Sequence, residues 1–327
     1  VTGAPGWLGT KLVECLIKEG KKVRCLALSS MNSEPLKAMG AEIVYGDITK
    51  KETLFAACEG IKSIIHAAGI IHPKKIKEFY QINTEGTRNL LEAAVSKKVK
   101  KFIYVSSNSA QGCNKQRSEL MKEDQQEHPE KGYGKSKYKA EQIVKEYQQR
   151  RLIQTVILRP CWFYGPGQPE RMTKLMNMIK SGRPIIFGDG KNLRSMTYID
   201  NLIQGIRLAE NKEISVGKTY WIADKRPYQT IEIYQEIAKQ LGVELRPRRV
   251  PKILSCCSEK ADDVFQFLGI YSINFHVAGE MVKDIACDIS NAEEELVYNP
   301  KIALSEGMKN SVMWAKKQNL VPLTPRL

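Results

Sequence analysis

Val1-Thr2-Gly3-Ala4-Pro5-Gly6-Trp7-Leu8-Gly9 opens the chain. Residues 10–19 follow, with Leu12, Cys15 and Leu16 at helical spacing. A glycine triplet that closes a strand and opens a helix has a mechanical reason at each position. Gly3 permits the tight turn, Gly6 lets a pyrophosphate approach the backbone, and Gly9 lets helix and strand pack closely. Trp7 and Leu8 then present backbone N–H groups at the positive end of the helix dipole. Three glycines in nine residues also suit a plain loop, but the helix that follows favours nucleotide binding. Because the chain begins with Val1, inside this motif, residues completing the first strand are expected to precede it, and a targeting signal is left open.

Downstream, strands are predicted over 22–28, 42–45, 63–67 and 101–105, with a short helix over 34–39 and a long one over 77–96. Gly46-Asp47-Ile48 follows the second of these strands, where the Asp47 carboxylate is placed to meet an adenine. The reader of the ribose 2′ position belongs about 20 residues past the glycines. Ala27, Leu28, Ser29 and Ser30 stand there, with neither an acid nor an arginine. NAD and NADP both stay open, with a slight tilt to NADP. His66-Ala67-Ala68-Gly69 supplies small residues over which a cofactor can pass, and His66 reads as a packed residue rather than a base. Asn83 and Gly86-Thr87 lie on the long helix. Ser106-Ser107-Asn108-Ser109 ends the 101–105 strand, and ligands of open α/β sheets bind at carboxyl strand ends. A serine there can donate to a substrate oxygen or simply cap a turn.

Tyr133-Gly134-Lys135-Ser136-Lys137 opens a predicted helix over 133–150. Tyr133 and Lys137 are four residues apart and share one helix face. A nearby ammonium favours the phenolate, so Lys137 is expected to lower the Tyr133 pKa and equip it for proton exchange near neutral pH. Alone, the pair is also an ordinary surface-helix pattern. The glycine triplet and Ser107 give it weight.

Taken in order, these motifs resemble the extended short-chain dehydrogenase/reductases. Leu158-Arg159-Pro160, Tyr164-Gly165-Pro166-Gly167, Gly188-Asp189-Gly190 and Tyr198-Ile199-Asp200-Asn201 extend the likeness over nearly the whole chain. Within that superfamily the chain is similar to the NAD-dependent epimerase/dehydratase group and its relatives, the 3β-hydroxysteroid dehydrogenases and dihydroflavonol reductases. The resemblance implies a Rossmann-type doubly wound parallel α/β sheet in 1–165 and a smaller substrate-binding portion in 166–327, with 218–222 rejoining the main sheet. It implies Tyr133 as general acid/base, Lys137 on the nicotinamide ribose, Ser107 orienting the substrate oxygen and Asn83 supporting the site through backbone hydrogen bonds. NAD or NADP would lie along Gly3, Gly6, Trp7, Leu8, Gly9, Asp47, Ile48, Ala67, Ala68, Gly69, Asn83, Tyr133, Lys137 and Pro160. Ser107, Asn108, Trp162 and Arg194 would face the substrate. Arg194 matches an arginine that contacts the pyrophosphate in nucleotide-sugar enzymes. Trp162 stands where many of those carry Asn and suggests a more apolar pocket. A nucleotide-sugar epimerase or dehydratase is therefore placed slightly ahead of a dehydrogenase/reductase of a bulkier alcohol or ketone. A non-catalytic NAD(P) sensor ranks last, since a sensor needs only the glycine end.

Composition sets the remaining bounds. At 327 residues, 42% hydrophobic and 27% charged, the chain is an ordinary globular protein with room for a large core. No apolar run approaches the roughly 18 residues of a membrane span. The net charge is +15, but the densest basic cluster, Lys97, Lys98, Lys100 and Lys101, reads as solvated rather than as a nucleic-acid footprint. A positive surface would still attract an anionic cofactor or substrate. The eight cysteines are scattered and the four histidines do not cluster, so reduced thiols, no metal site and a cytoplasmic setting are expected. The expected partner is a small-molecule substrate, with a homodimer left open. Residues 111–132 read as a polar lid loop, the helix over 171–181 as Met-packed, Asp200 as an N-cap, 247–275 as irregular with a core role for its apolar residues, and 322–327 as a tail.

Overall fold

The computed structural model describes residues 1–182 and 184–321, so the expected tail lies outside the described residues. A parallel sheet forms the centre. Strand β1 (Arg24–Ala27) pairs with β2 (Glu42–Tyr45), β3 (Ser63–His66) with β4 (Lys101–Val105), β4 with β5 (Gln154–Pro160), and β5 with β6 (Thr219–Ile222). Thr2 bridges in parallel to both Leu26 and His66. It therefore joins the two halves in the order β2-β1-Thr2-β3-β4-β5-β6. The chain direction across the sheet reverses at Thr2, and an open α/β sheet binds ligands at such a switch point.

Each strand alternates its side chains between two helical layers. Ile103, Val105, Val156 and Leu158 pack in one cluster with Leu12 and Leu16 of α1 (Trp7–Lys18). Phe102, Tyr104 and Ile157 pack in the other with Leu90 and Leu91 of α2 (Gly86–Ser96) and Ala140 and Val144 of α3 (Lys131–Gln149). Helix α4 (Ile199–Asn211) joins the α1 side through Leu202 and Ile206. With both faces covered, all five residues of β4 are buried. Burying a side chain such as Phe102 contributes about 1.5–3 kcal/mol.

Several expectations are corrected. The single helix over 77–96 is broken by a π-helical turn at Tyr80–Glu85, in which Asn83 and Thr84 are buried. Such turns recur at functional sites. Asp200 is not an N-cap, because α4 begins at Ile199 after Tyr198, with no side-chain cap. Lys101 is not solvated. Its ammonium is buried on the carbonyls of Glu210 and Lys212, at 2.9 and 2.8 Å. Cys25 and Cys58 are buried in the core, Cys15 only half-buried at its edge.

The largest correction concerns 247–275. Instead of irregular structure it carries helix α5 (Lys252–Phe267), followed by α6 (Ile273–Glu280). The two form an antiparallel hairpin, with Ser255 Oγ on the Ala278 carbonyl at 2.6 Å and the Phe265 ring tilted against that of Phe275 at 5.2 Å. The inward positions are polar. Asp262 is fully buried between Lys131, at 3.1 Å, and His276, at 3.0 Å. The apolar residues expected in a core point outward instead, Ile253 and Phe267 being 63% and 90% exposed. Polar partners on the body captured the inner face, which inverts the usual amphipathic arrangement.

Candidate active site

The glycine end is set by backbone contact. A Cβ on Gly3 would stand 2.6 Å from the Ala67 carbonyl carbon, and one on Gly9 2.5 Å from the Gly3 oxygen. Gly3 also holds φ +80°, which favours glycine. On Gly6 a Cβ would lie 2.7 Å from that same oxygen, so Gly6 serves the turn as well as any ligand. Trp7, Leu8 and Gly9 begin α1 just past Gly6, where a helix leaves its N–H groups without internal partners. This cradle fits a dinucleotide pyrophosphate. The Trp7 side chain is spent elsewhere, donating to the Pro166 carbonyl at 2.8 Å and stacking on Phe163 at 5.3 Å. Only its backbone is left for a ligand.

Around the cradle stand the other expected cofactor residues. Asp47 lies past the carboxyl end of β2, its Oδ1 accepting from the Thr49 amide at 2.9 Å, and Ile48 is buried beside Gly86. Ala68 donates its amide to Thr2 Oγ1 at 3.2 Å, close to Ala67 and Gly69. His66 is fully buried between the hydroxyls of Thr2, at 2.7 Å, and Thr87, at 3.0 Å, and desolvation drives its pKa down to about 3. It is a packed residue, not a base. Asn83 holds both polar backbone groups of Ile70, at 2.8 and 3.0 Å, and reaches Ser136 Oγ at 3.0 Å. It ties the loop after β3 to α3. Pro160 is buried at the carboxyl end of β5.

The structure brings Ser107, Tyr133 and Lys137 together beyond the carboxyl end of β4. Helix α3 approaches closely because residue 134 is glycine, where a Cβ would collide with the Ser109 carbonyl. Ser107 caps the short turn at Asn108–Ala110, accepting from the Ser109 amide at 3.2 Å, and stands close enough to the Tyr133 phenol to favour its ionised form. The cap and the site contact coexist. Lys137 is buried, donating to the Val105 carbonyl at 2.9 Å and lying 4.2 Å from the centroid of the Tyr104 ring. Burial pulls its pKa down to about 7, with the Glu141 carboxylate opposing. The expected lowering of Tyr133 by Lys137 does not appear. Burial raises the Tyr133 pKa, and the groups that pull it back are Ser107 and Arg171. Lys137 is turned to Val105 and Tyr104 instead.

The substrate side holds residues that sequence reasoning missed. Asn108, Ser109, Cys113, Tyr133, His276 and Glu280 line one cleft. Buried behind them, Phe79 lies tilted 5.8 Å from the Tyr133 ring and makes an edge contact with Tyr271. Trp162 lies between the guanidinium groups of Arg171, at 5.4 Å, and Arg194, at 5.7 Å. Arg194 is buried and donates to the Glu280 carbonyl, while its Nε and the Trp162 Nε1 have no partner among the described residues. Nothing local marks Arg171, which sits in the first turn of the helix Glu170–Lys180, whose Met172 and Met176 pack in the core.

A buried network positions these parts. Arg159 is fully buried and pairs with Glu141, at 2.6 Å, and Glu127, at 3.2 Å. Its remaining nitrogen holds Gln111, and Ser106 donates to Glu141 at 2.5 Å. Glu141 is one turn past Lys137, so the network joins α3, the ends of β4 and β5, and the loop over 111–130.

The profile of the 3-beta hydroxysteroid dehydrogenase/isomerase family matches residues 1–252. The protein y4nL of Sinorhizobium fredii is 39% identical over 97% of this chain and 94% of its own. UDP-glucose 4-epimerase of Vibrio cholerae is 26% identical over 95% of this chain and 93% of its own. The crystal structure of UDP-glucuronic acid 4-epimerase from Bacillus cereus in complex with NAD, 26% identical, superposes with a TM-score of 0.76 over 97% of this chain and 98% of that one. Fold and site thus define an extended short-chain dehydrogenase/reductase. More closely, the chain belongs to the 3-beta hydroxysteroid dehydrogenase/isomerase family.

Proposed function

We propose that this protein is an NAD(P)-dependent oxidoreductase acting at a carbon that bears oxygen, with Tyr133 as the acid/base. The observation that carries this reading is the convergence of Ser107, Tyr133 and Lys137 beside the cofactor cradle. Bound NAD(P) supplies the hydride acceptor or donor. In oxidation the substrate hydroxyl passes its proton to the Tyr133 oxygen while its carbon loses hydride, and in reduction the phenol returns the proton. Ser107 orients the substrate oxygen, and Lys137 meets the nicotinamide ribose. Because burial raises the Tyr133 pKa, the phenol dominates at neutral pH, so reduction is favoured there and oxidation gains as pH rises.

For the substrate, the half-buried aromatic rings of Tyr271 and Trp162 near the site and the family's own description support a bulky alcohol or ketone. The second reading, a nucleotide sugar, rests on the unpartnered Arg194 Nε and the Vibrio cholerae relative. The B. cereus neighbour favours NAD over NADP. The test is cofactor turnover with sterols, bulky ketones and UDP-sugars. Tyr133→Phe should lower it by about 10²–10⁴-fold. Undiminished turnover by that variant would sink the assignment. UDP-sugar epimerisation without net cofactor reduction would favour the second reading.

A further inference from the structure

The α5–α6 hairpin turns an apolar stripe, interrupted at Lys260, to solvent. Residues 253, 257, 260, 264 and 267 are spaced to share one face of α5, and at four of these positions (Ile253, Cys257, Val264 and Phe267) the chain exposes an apolar or thiol side chain. That face runs about 21 Å along the helix. Leu268, Ile270 and Ile273 continue it around the tip, 63%, 51% and 41% exposed. Exposed apolar side chains clustered this densely at the tip mark an interaction site rather than ordinary surface scatter.

Cations rim both ends of this surface. At the tip, the Ile76 amide donates to the Gly269 carbonyl at 3.4 Å and Lys75 bridges to Ile270, which sets the exposed Lys74, Lys75 and Lys77 beside it. At the base lie the exposed Arg248, Arg249 and Lys252, and Lys260 sits within the stripe. Lys74, Lys75, Lys77, Lys252 and Lys260 have no ion pair among the described residues. The hairpin's own acids are compensated, three from outside the hairpin and Glu280 from within α6. Asp262 and Asp263 pair with Lys131 at 3.1 Å, Glu259 pairs with Lys283 at 2.8 Å, and Glu280 faces His276. What remains outward is apolar surface ringed by positive charge.

We propose that this hairpin seats the protein on bilayers containing anionic phospholipid. Phe267, Leu268 and Ile270 enter the boundary between headgroups and acyl chains, while Lys74, Lys75 and Lys77 meet headgroup phosphates. This is surface docking, and no described helix is long and apolar enough to cross a membrane. A second copy of the chain is the poorer occupant, since a two-fold interface through this face would press two lysine rims together. The tip is also close to the chemistry, because Tyr271 touches Phe79 and Phe79 touches Tyr133. Docking is independent of which substrate is correct.

The test is co-sedimentation of the full chain with phosphatidylcholine vesicles, with and without phosphatidylglycerol. Binding should need the anionic lipid and weaken with salt. Lys74→Glu/Lys75→Glu should reduce partitioning by ~10-fold or more. Phe267→Asp/Leu268→Asp should abolish it at an unchanged melting temperature. Absence of binding to anionic vesicles, or equal binding by Phe267→Asp/Leu268→Asp, overturns the proposal. So does a dimer in light scattering that this variant dissolves while vesicle binding is absent.

Discussion

At the cofactor end, Gly3, Gly6 and Gly9 are dictated by backbone atoms 2.6, 2.7 and 2.5 Å from where a Cβ would sit. At the far wall of the cleft, α5 and α6 are held by side chains from distant parts of the chain, Asp262 meeting a lysine 131 residues earlier. The first region is fixed by backbone packing, Gly3 against Ala67 and Gly6 and Gly9 against Gly3, and tolerates no added atom. The second is an assembly of ion pairs that leaves its apolar face turned outward. A nucleotide's phosphates need a fixed cradle of amides, and that need is met within one turn of chain. The substrate wall is defined only once remote elements meet, so it is the part of the fold free to vary in what it binds.

The comparison can be broken or sharpened experimentally. The largest effect is expected from Arg159→Met, which strands Glu141 and Glu127 in the interior and should cost about 3–5 kcal/mol in denaturant unfolding. Cofactor affinity of the folded fraction should change little if the two ends are built independently, and a parallel loss would join them. Gly9→Ala comes next. Its Cβ would meet the Gly3 carbonyl, and calorimetry should show NAD(P) affinity lowered by ~100-fold, about 2.7 kcal/mol. Near-normal affinity would mean that the cradle is more pliant than its contacts imply.

A graded effect is set by pH. His66 titrates near 3 when folded and near 6.5 when unfolded, so on acidification the unfolded chain takes up a proton that the native state refuses. Its contribution is present above pH 6.5 and is lost as pH falls toward 3, at up to about 1.4 kcal/mol per pH unit. Melting curves between pH 6.5 and 4 should show this slope, flattened in His66→Asn. Lys137 acts in another window. Its folded value of about 7 lies below 10.5, so its burial penalty is full below pH 7 and is relieved as pH rises from 7 to 10.5. The smallest effect belongs to Trp162→Asn, expected to shift relative turnover from bulky ketones toward nucleotide sugars by ~5-fold, about 1 kcal/mol. An unchanged ratio would remove Trp162 from substrate selection.

The sequence by itself determined the parallel sheet, the glycine cradle, and the alignment of Tyr133 with Lys137 on one helix face. Each is written in a short-range code: strand alternation, helical spacing, or a glycine where no Cβ fits. Tertiary structure decided the rest. It placed Arg171 by Trp162 and Tyr133, turned Lys137 to the Val105 carbonyl, and gathered Ser106, Gln111, Glu127 and Glu141 around Arg159. It also chose which face of α5 turns outward. The pattern of α5 alone would bury Val264 and Phe267, but the inner positions were claimed by Lys131 and His276 reaching for Asp262. A buried carboxylate needs its partners more than an exposed phenylalanine needs cover, and those partners come together only in the folded chain.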